Sequence, residues 1–150
     1  MPQRLDYEAI APQGVRALGD VYRYIARSGL DALLVELIYL RISQINGCAY
    51  CLDLHTKTLL EKGVSPRKLG VLQAWREMEA TFSARECAAL AWAESVTSVR
   101  ETVIPDAEFR ALSEVFSEKE FVDLTIAVGL MNLFNRLAIG FRRTSDPFNS

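Results

Sequence analysis

The chain has 150 residues with three cysteines and one histidine, a length that fits one domain over residues 1–150 able to bury a core without disulfide staples. Its net charge of −2 and the lack of any Lys/Arg cluster exclude a phosphate-tracking face, so nucleic acid is not an expected partner and Arg142-Arg143 reads as a short solvated tail. A hydrophobic share of 50% is high for a soluble monomer of this size, which predicts apolar surface covered between copies of the chain.

The segment Met1 to Tyr7 has no apolar h-region of a signal peptide, and a reducing, cytoplasmic setting is the expectation. Pro12 suits a first helical turn, after which Val15, Leu18, Tyr22 and Ile25 recur at helical spacing until Gly29, predicting a half-buried helix. Asp31 is placed to cap a second helix whose Leu33, Leu34, Leu37, Ile38, Ile42 and Ile45 leave only a narrow polar margin. Glu36 shares a stripe of that helix with Leu40, Ser43 and Gly47, so its carboxylate is expected on the face leading into the next turn. Asn46 is a good N-cap for a third helix from about Gly47 to Lys62, with Gly63 as its stop.

Ser65-Pro66 restarts the chain into a shorter helical segment carrying Leu69, Leu72 and Trp75. Ser83-Ala84-Arg85-Glu86 and Ser117-Glu118-Lys119-Glu120 are capping boxes, and Pro105 opens a helix between the two they start. The last helix, from about Glu118 to Arg142, is apolar on nearly every side, but Asp123, Asn132, Asn135 and Arg136 would be costly in lipid. A central or interface helix is expected there, not a membrane span. No alternating strand pattern, internal repeat or Gly-rich phosphate loop interrupts this series, which predicts an all-α fold.

Chemistry is concentrated in Asn46-Gly47-Cys48-Ala49-Tyr50-Cys51-Leu52-Asp53-Leu54-His55. Cys48 and Cys51, three apart, share a helix face at a separation a disulfide can bridge, and a helix N-terminus favours the thiolate. His55 continues the same stripe, where an imidazole can relay a proton between the thiols or to a leaving oxygen. A structural zinc site would need a fourth ligand, and the remaining cysteine, Cys87, is explained by the apolar face of its own helix. A thioredoxin-like motif would follow a strand, whereas a helix precedes this one. The third alternative is two cysteines as small core residues with His55 as a satisfied core histidine, a reading that their joint spacing weakens.

Read as Glu-x11-Cys-x2-Cys-x3-His, with Leu-Arg-Ile-Ser-Gln-Ile-Asn-Gly before the first cysteine, the stretch from Glu36 to His55 resembles the alkylhydroperoxidase AhpD core of the carboxymuconolactone decarboxylase-like superfamily. The resemblance spans about residues 12–75 and, more loosely, Asn135-Arg136, a pair that related proteins often carry. It implies an all-helical bundle with the C-x-x-C at the N-terminus of a buried helix, assembled into homo-trimers or homo-hexamers. It also implies a peroxidase for small alkyl hydroperoxides, re-reduced by a lipoyl-type or thioredoxin-like dithiol; with the ligand count above, no metal or other cofactor is expected. Position by position, Cys51 would attack the peroxide and become a sulfenic acid, and Cys48 would donate a proton and then condense with it to the disulfide. His55 and Glu36 would complete the proton relay. One departure stands out: the family's well-known peroxidase has a second histidine where this chain has Tyr50, and a phenol with a pKa of about 10 is a poorer proton carrier near neutrality. Two other functions use the same residues or scaffold. A decarboxylase or lactone-processing enzyme has no need of a vicinal dithiol, and a non-enzymatic redox-responsive module would rest on the dithiol and the apolar last helix alone.

Overall fold

Helix α3 (Ala32–Asn46) is the axis of the molecule, buried without interruption from Leu34 to Leu40 and again at Ile42 and Ser43. The structure is a computed structural model and describes residues 2–145, among which there is no strand. Before α3 come a single turn, α1 (Tyr7–Ile10), and α2 (Pro12–Ala26). After it come α4 (Ala49–Glu61), α5 (Pro66–Gly70), an irregular 3₁₀ stretch Leu72–Thr81, α6 (Ala84–Thr97), a short α7 (Val99–Thr102), α8 (Asp106–Val115) and α9 (Glu118–Phe141). α3 packs on α4, α6 and α9, and α9 also lies against α2 and α6, so the two most apolar helices cross at the centre.

The predicted starts are found where the signal is local. Asp31 accepts from the Leu34 N–H at 2.8 Å, Ser65 caps α5, and both capping boxes are formed, Ser83 with Glu86 and Ser117 with Glu120. Helical spacing carried through Trp75 is not continued past α5, because Ala74 and Met78 leave helical φ/ψ and the segment tightens into 3₁₀ turns. Two features stand outside the expected series: α1, which Asp6 caps by accepting from the Ala9 N–H at 3.1 Å, and the left-handed pair Val103 (φ 53°) and Ile104 (φ 43°) after α7.

α9 is long and apolar enough by composition to cross a membrane, yet in this fold its inner side carries polar residues with assigned partners. Asp123, 2% exposed, accepts from Tyr24 of α2 at 2.6 Å and pairs with Lys119. Between α3 and α6, Arg41 donates to Glu94 at 2.7 Å, joined by Trp75 and Arg76. Burial pushes the Glu94 carboxyl up, but the hydrogen bonds from Arg76, Arg41 and Trp75 outweigh it and hold Glu94 below the usual carboxylate range.

Candidate active site

The turn joining α3 to α4 starts later than the sequence suggests. Asn46 is the last residue of α3 and not a cap; Gly47, at φ 69°, ends that helix in the left-handed conformation that a residue without Cβ adopts without strain. The N-cap of α4 is Cys48 itself, whose Sγ accepts from the Cys51 N–H at 3.3 Å. This is the corrected register: Cys48 caps the helix and Cys51 sits in its first turn. Their Cα atoms are 5.3 Å apart and the two sulfurs are joined in a disulfide. Both residues are buried, at 1% and 4% exposure, in a small cluster with Ala138 of α9.

Asn46, relieved of capping, donates to Asn132 Oδ1 at 3.0 Å and to Asn135 Oδ1 at 2.9 Å. Asn135 is fully buried and donates in turn to Ser43 Oγ at 3.1 Å, while Arg136 donates to Asn132 Oδ1 at 3.0 Å. The Asn-Arg pair of the last helix therefore belongs to a polar bridge that fixes the C-terminal end of α3, and with it the cysteine turn, to α9.

His55 lies one helical turn after Cys51 and is 3% exposed. Its Nδ1 is 2.8 Å from Oε2 of Glu36, itself only 7% exposed on α3. Because a carboxylate accepts, Nδ1–H is the donor, which leaves Nε2 to take up or return a proton. Tyr22 of α2 donates to the other carboxylate oxygen at 3.4 Å, and the Tyr39 ring packs on His55 with centroids 5.4 Å apart. Burial raises the Tyr22 and Tyr39 phenols above their ordinary value, with the Glu36 charge adding to it, so both stay neutral, and Tyr22 is the one that donates. The Tyr39 hydroxyl is buried without a partner among the described residues, beside a recess of about 110 Å³ that it shares with Glu36, Tyr22 and Lys62.

Beside His55 opens a cleft of about 210 Å³, which Tyr22 also lines. Cys51 and His55 lie on its wall with Leu54, Met131 and Phe134, and Tyr7, Tyr50 and Arg143 stand around it. Of the two cysteines, Cys51 is the one on this wall. A larger groove of about 710 Å³ between α8 and α9 is walled by Phe109, Phe116 and Phe121 and carries no cysteine or histidine, so size does not mark the chemistry here.

Arg143 requires a second correction. In place of a solvated tail, its guanidinium stacks on the Tyr50 ring at 4.2 Å, and Nη1 donates to Tyr7 Oη at 3.1 Å and pairs with Glu8. The sequence reading singled out Cys48, Cys51, His55 and Glu36, and the fold brings these four together. It missed Tyr22, Tyr39, Arg143 and the Asn46–Asn132 contact, all tertiary; the one available signal was the Asn135-Arg136 pair. Cys87 stays apart on α6, where burial together with Glu79 and Glu86 pushes its thiol up. Among the described residues no three His, Cys, Asp or Glu side chains are grouped to hold a metal ion.

The sequence model of the carboxymuconolactone decarboxylase family matches residues 12–95. The uncharacterized protein YdfG of Bacillus subtilis (strain 168) is 34% identical over 139 residues, covering 93% of this chain and 94% of that protein. The alkyl hydroperoxide reductase AhpD of Corynebacterium aurimucosum is 44% identical over 45 residues, only 30% of this chain and 25% of the reductase. Among solved structures, a protein of unknown function from Agrobacterium tumefaciens, provisionally labelled an antioxidant defence protein AhpD, superposes with a TM-score of 0.92 at 36% identity, covering 97% of this chain and 99% of the other.

Proposed function

Because this chain belongs to the carboxymuconolactone decarboxylase family and has an AhpD-like all-helical fold, we propose that it is a thiol-dependent peroxidase reducing alkyl hydroperoxides through Cys48 and Cys51. The observation that carries the reading is the wall of the 210 Å³ cleft: Cys51 lies one helical turn before His55, and the buried Glu36 carboxylate holds that imidazole from behind at 2.8 Å. Each part has a step to perform.

In the reduced protein the Cys51 thiolate attacks the terminal oxygen of the hydroperoxide. The O–O bond breaks, its electron pair leaves with the alkoxide, and His55 protonates that alkoxide to the alcohol while Glu36 balances the imidazolium charge. Cys51 is left as a sulfenic acid. Cys48 then attacks the Cys51 sulfur, the hydroxyl leaves with the Cys48 proton as water, and the disulfide forms before further oxidation can occur. A dithiol donor reduces that disulfide by exchange and is itself oxidised to a disulfide, returning both thiols. Being on the cleft wall favours Cys51 as the attacking sulfur, and as the cap of α4 Cys48 is held in reach of it by the Cys51 N–H.

The proposal includes assembly. Val122, Ile126 and Leu133 are 58%, 39% and 40% exposed along one face of α9, the kind of apolar stripe that copies of a chain cover in a trimer or hexamer, and light scattering at monomer mass would remove this part. The central reading is tested by supplying cumene hydroperoxide and dihydrolipoamide to the wild type and to Cys51→Ser. Turnover is expected only in the wild type, and equal turnover in both would sink the mechanism.

A further inference from the structure

We propose that Arg143 and Tyr50 form an anion subsite at the mouth of the Cys51 cleft, selecting hydroperoxides that carry a carboxylate on an apolar body. The proposal rests on the peroxidase reading and adds the substrate class to it.

The subsite is built, not incidental. Arg142 leaves α9 in the left-handed conformation (φ 56°), and the Arg143 N–H returns to the Ala138 carbonyl at 2.8 Å, which turns the side chain back over the cleft. The N-terminal segment holds this turn from the other side: Arg4 donates from its backbone to Phe141 at 2.9 Å and from Nη1 to Gly140 at 3.1 Å. Tyr50, the residue directly before Cys51, has the Arg143 guanidinium over its ring, 4.2 Å from the ring centroid. This assigns Tyr50 a task other than proton transfer: its ring is the platform on which the cation rests.

Stacking uses the face of a guanidinium and leaves its in-plane fork for an anion. Among the described residues both side-chain hydrogen bonds of Arg143 leave from Nη1, to Tyr7 and to Glu8, so Nε and Nη2 are the N–H groups left to a ligand. Glu8 is half exposed and its pair with Arg143 lies at the surface, where such pairs contribute little and yield to a better placed carboxylate. Apart from Tyr7, Glu8 and Tyr22, the walls of this cleft are apolar, through Val15, Leu54, Met131 and Phe134, and the same lining holds Cys51 and His55. The arrangement matches an amphiphile with its charge at the mouth and its O–O bond at the sulfur. A carboxylate that takes the place of Glu8 on the guanidinium exchanges one charge for one; a phosphate dianion would bring a second charge that Arg143 does not balance.

A carboxylate could also reach this cleft on the reducing dithiol, so the test has two arms. In the first, linoleic acid hydroperoxide is compared with its methyl ester, with dihydrolipoamide as the donor throughout. In the second, dihydrolipoate is compared with dihydrolipoamide, with cumene hydroperoxide as the substrate. The expected result is a kcat/KM about tenfold higher for the acid than for the ester, the size of one charge-assisted hydrogen bond, with the ratio falling to near one in Arg143→Gln and restored in part by Arg143→Lys. A wild-type ratio near one overturns the proposal and leaves the peroxidase reading standing. A preference confined to dihydrolipoate overturns the assignment to the peroxide and puts the anion on the donor. If no hydroperoxide turns over, the peroxidase reading fails by itself, and calorimetry with octanoate decides the subsite: binding lost in Arg143→Gln supports it, and no binding to the wild type overturns it.

Discussion

Replacing Glu36 by glutamine keeps the size of the side chain and removes its charge, at a position 7% exposed where one oxygen faces His55 Nδ1 at 2.8 Å and the other faces Tyr22. A hydrogen bond to a charged group is worth about 1.5–3 kcal/mol, or roughly 10- to 150-fold in rate if it is made fully only while the imidazole carries the proton. A second effect adds to this. The glutamine amide can present N–H to Nδ1, which forces the proton onto Nε2 and turns the proton-accepting atom into a donor, a tautomer error that in a catalytic triad costs about 10⁴-fold. The expected loss in kcat/KM for cumene hydroperoxide with dihydrolipoamide is therefore about 100-fold or more. Global stability should change little, since removing a buried charge offsets the weaker hydrogen bond. Stopped-flow reduction kinetics and a urea melt of the reduced proteins measure the two quantities. Wild-type kinetics in Glu36→Gln would refute the relay, and equal losses in rate and stability would make Glu36 a structural residue.

Three further outcomes are expected. Mass spectrometry of reduced protein treated with stoichiometric peroxide should find the Cys48–Cys51 disulfide formed before Cys87 is modified, because the Cys87 thiol is pushed up by burial and by Glu79 and Glu86; oxidation of Cys87 first would contradict this. Asn135→Ala should cost about 1–2 kcal/mol in urea unfolding, since it removes the bonds to Asn46 and Ser43 at the buried α3–α9 crossing while Asn46 keeps Asn132 and Ser43 keeps the Tyr39 carbonyl, and a loss under about 0.5 kcal/mol would show the bridge to be dispensable. The Ser117 backbone N–H and Arg85 hold the Glu120 carboxyl down at about 2, below its ordinary 4.5, so the stability it contributes is present above pH 4.5 and is lost as pH falls toward 2. Glu120→Gln should flatten that acid limb in thermal melts taken across the window; an unchanged limb would assign it to other carboxylates.

What could be read from the chain follows the range of the forces involved. Asp31, Ser65, Ser83 and Ser117 cap their helices by accepting from N–H groups three residues on, and such signals are complete within one turn of sequence. The Glu36–His55 pair was legible because two helices joined by a tight turn must lie side by side, and helical period then sets which faces meet. The register of the turn itself was misjudged: asparagine is the better N-cap by preference, but Gly47 can take the left-handed angle that ends α3, and that requirement decides where α4 begins. Arg143 and Tyr7 were not legible as site residues, since nothing periodic links the two ends of a chain. Nothing local in the sequence singles out Tyr39 either, whose hydroxyl is buried among the apolar residues of α3.

The contacts that roof the cleft join residues 135 and 136 apart in sequence, Glu8 or Tyr7 with Arg143, whereas Glu36 and His55 are only 19 apart. Closing the longer loop costs about 1.7 kcal/mol more chain entropy than closing the shorter one. The helical hairpin of α3 and α4 can therefore assemble its dithiol, imidazole and carboxylate from local encounters, before the chain ends have met. On partial unfolding the order reverses, and the surface ties around Arg143 open at lower free energy than the buried hairpin. Warming should thus erode the choice of substrate before it erodes the power to react.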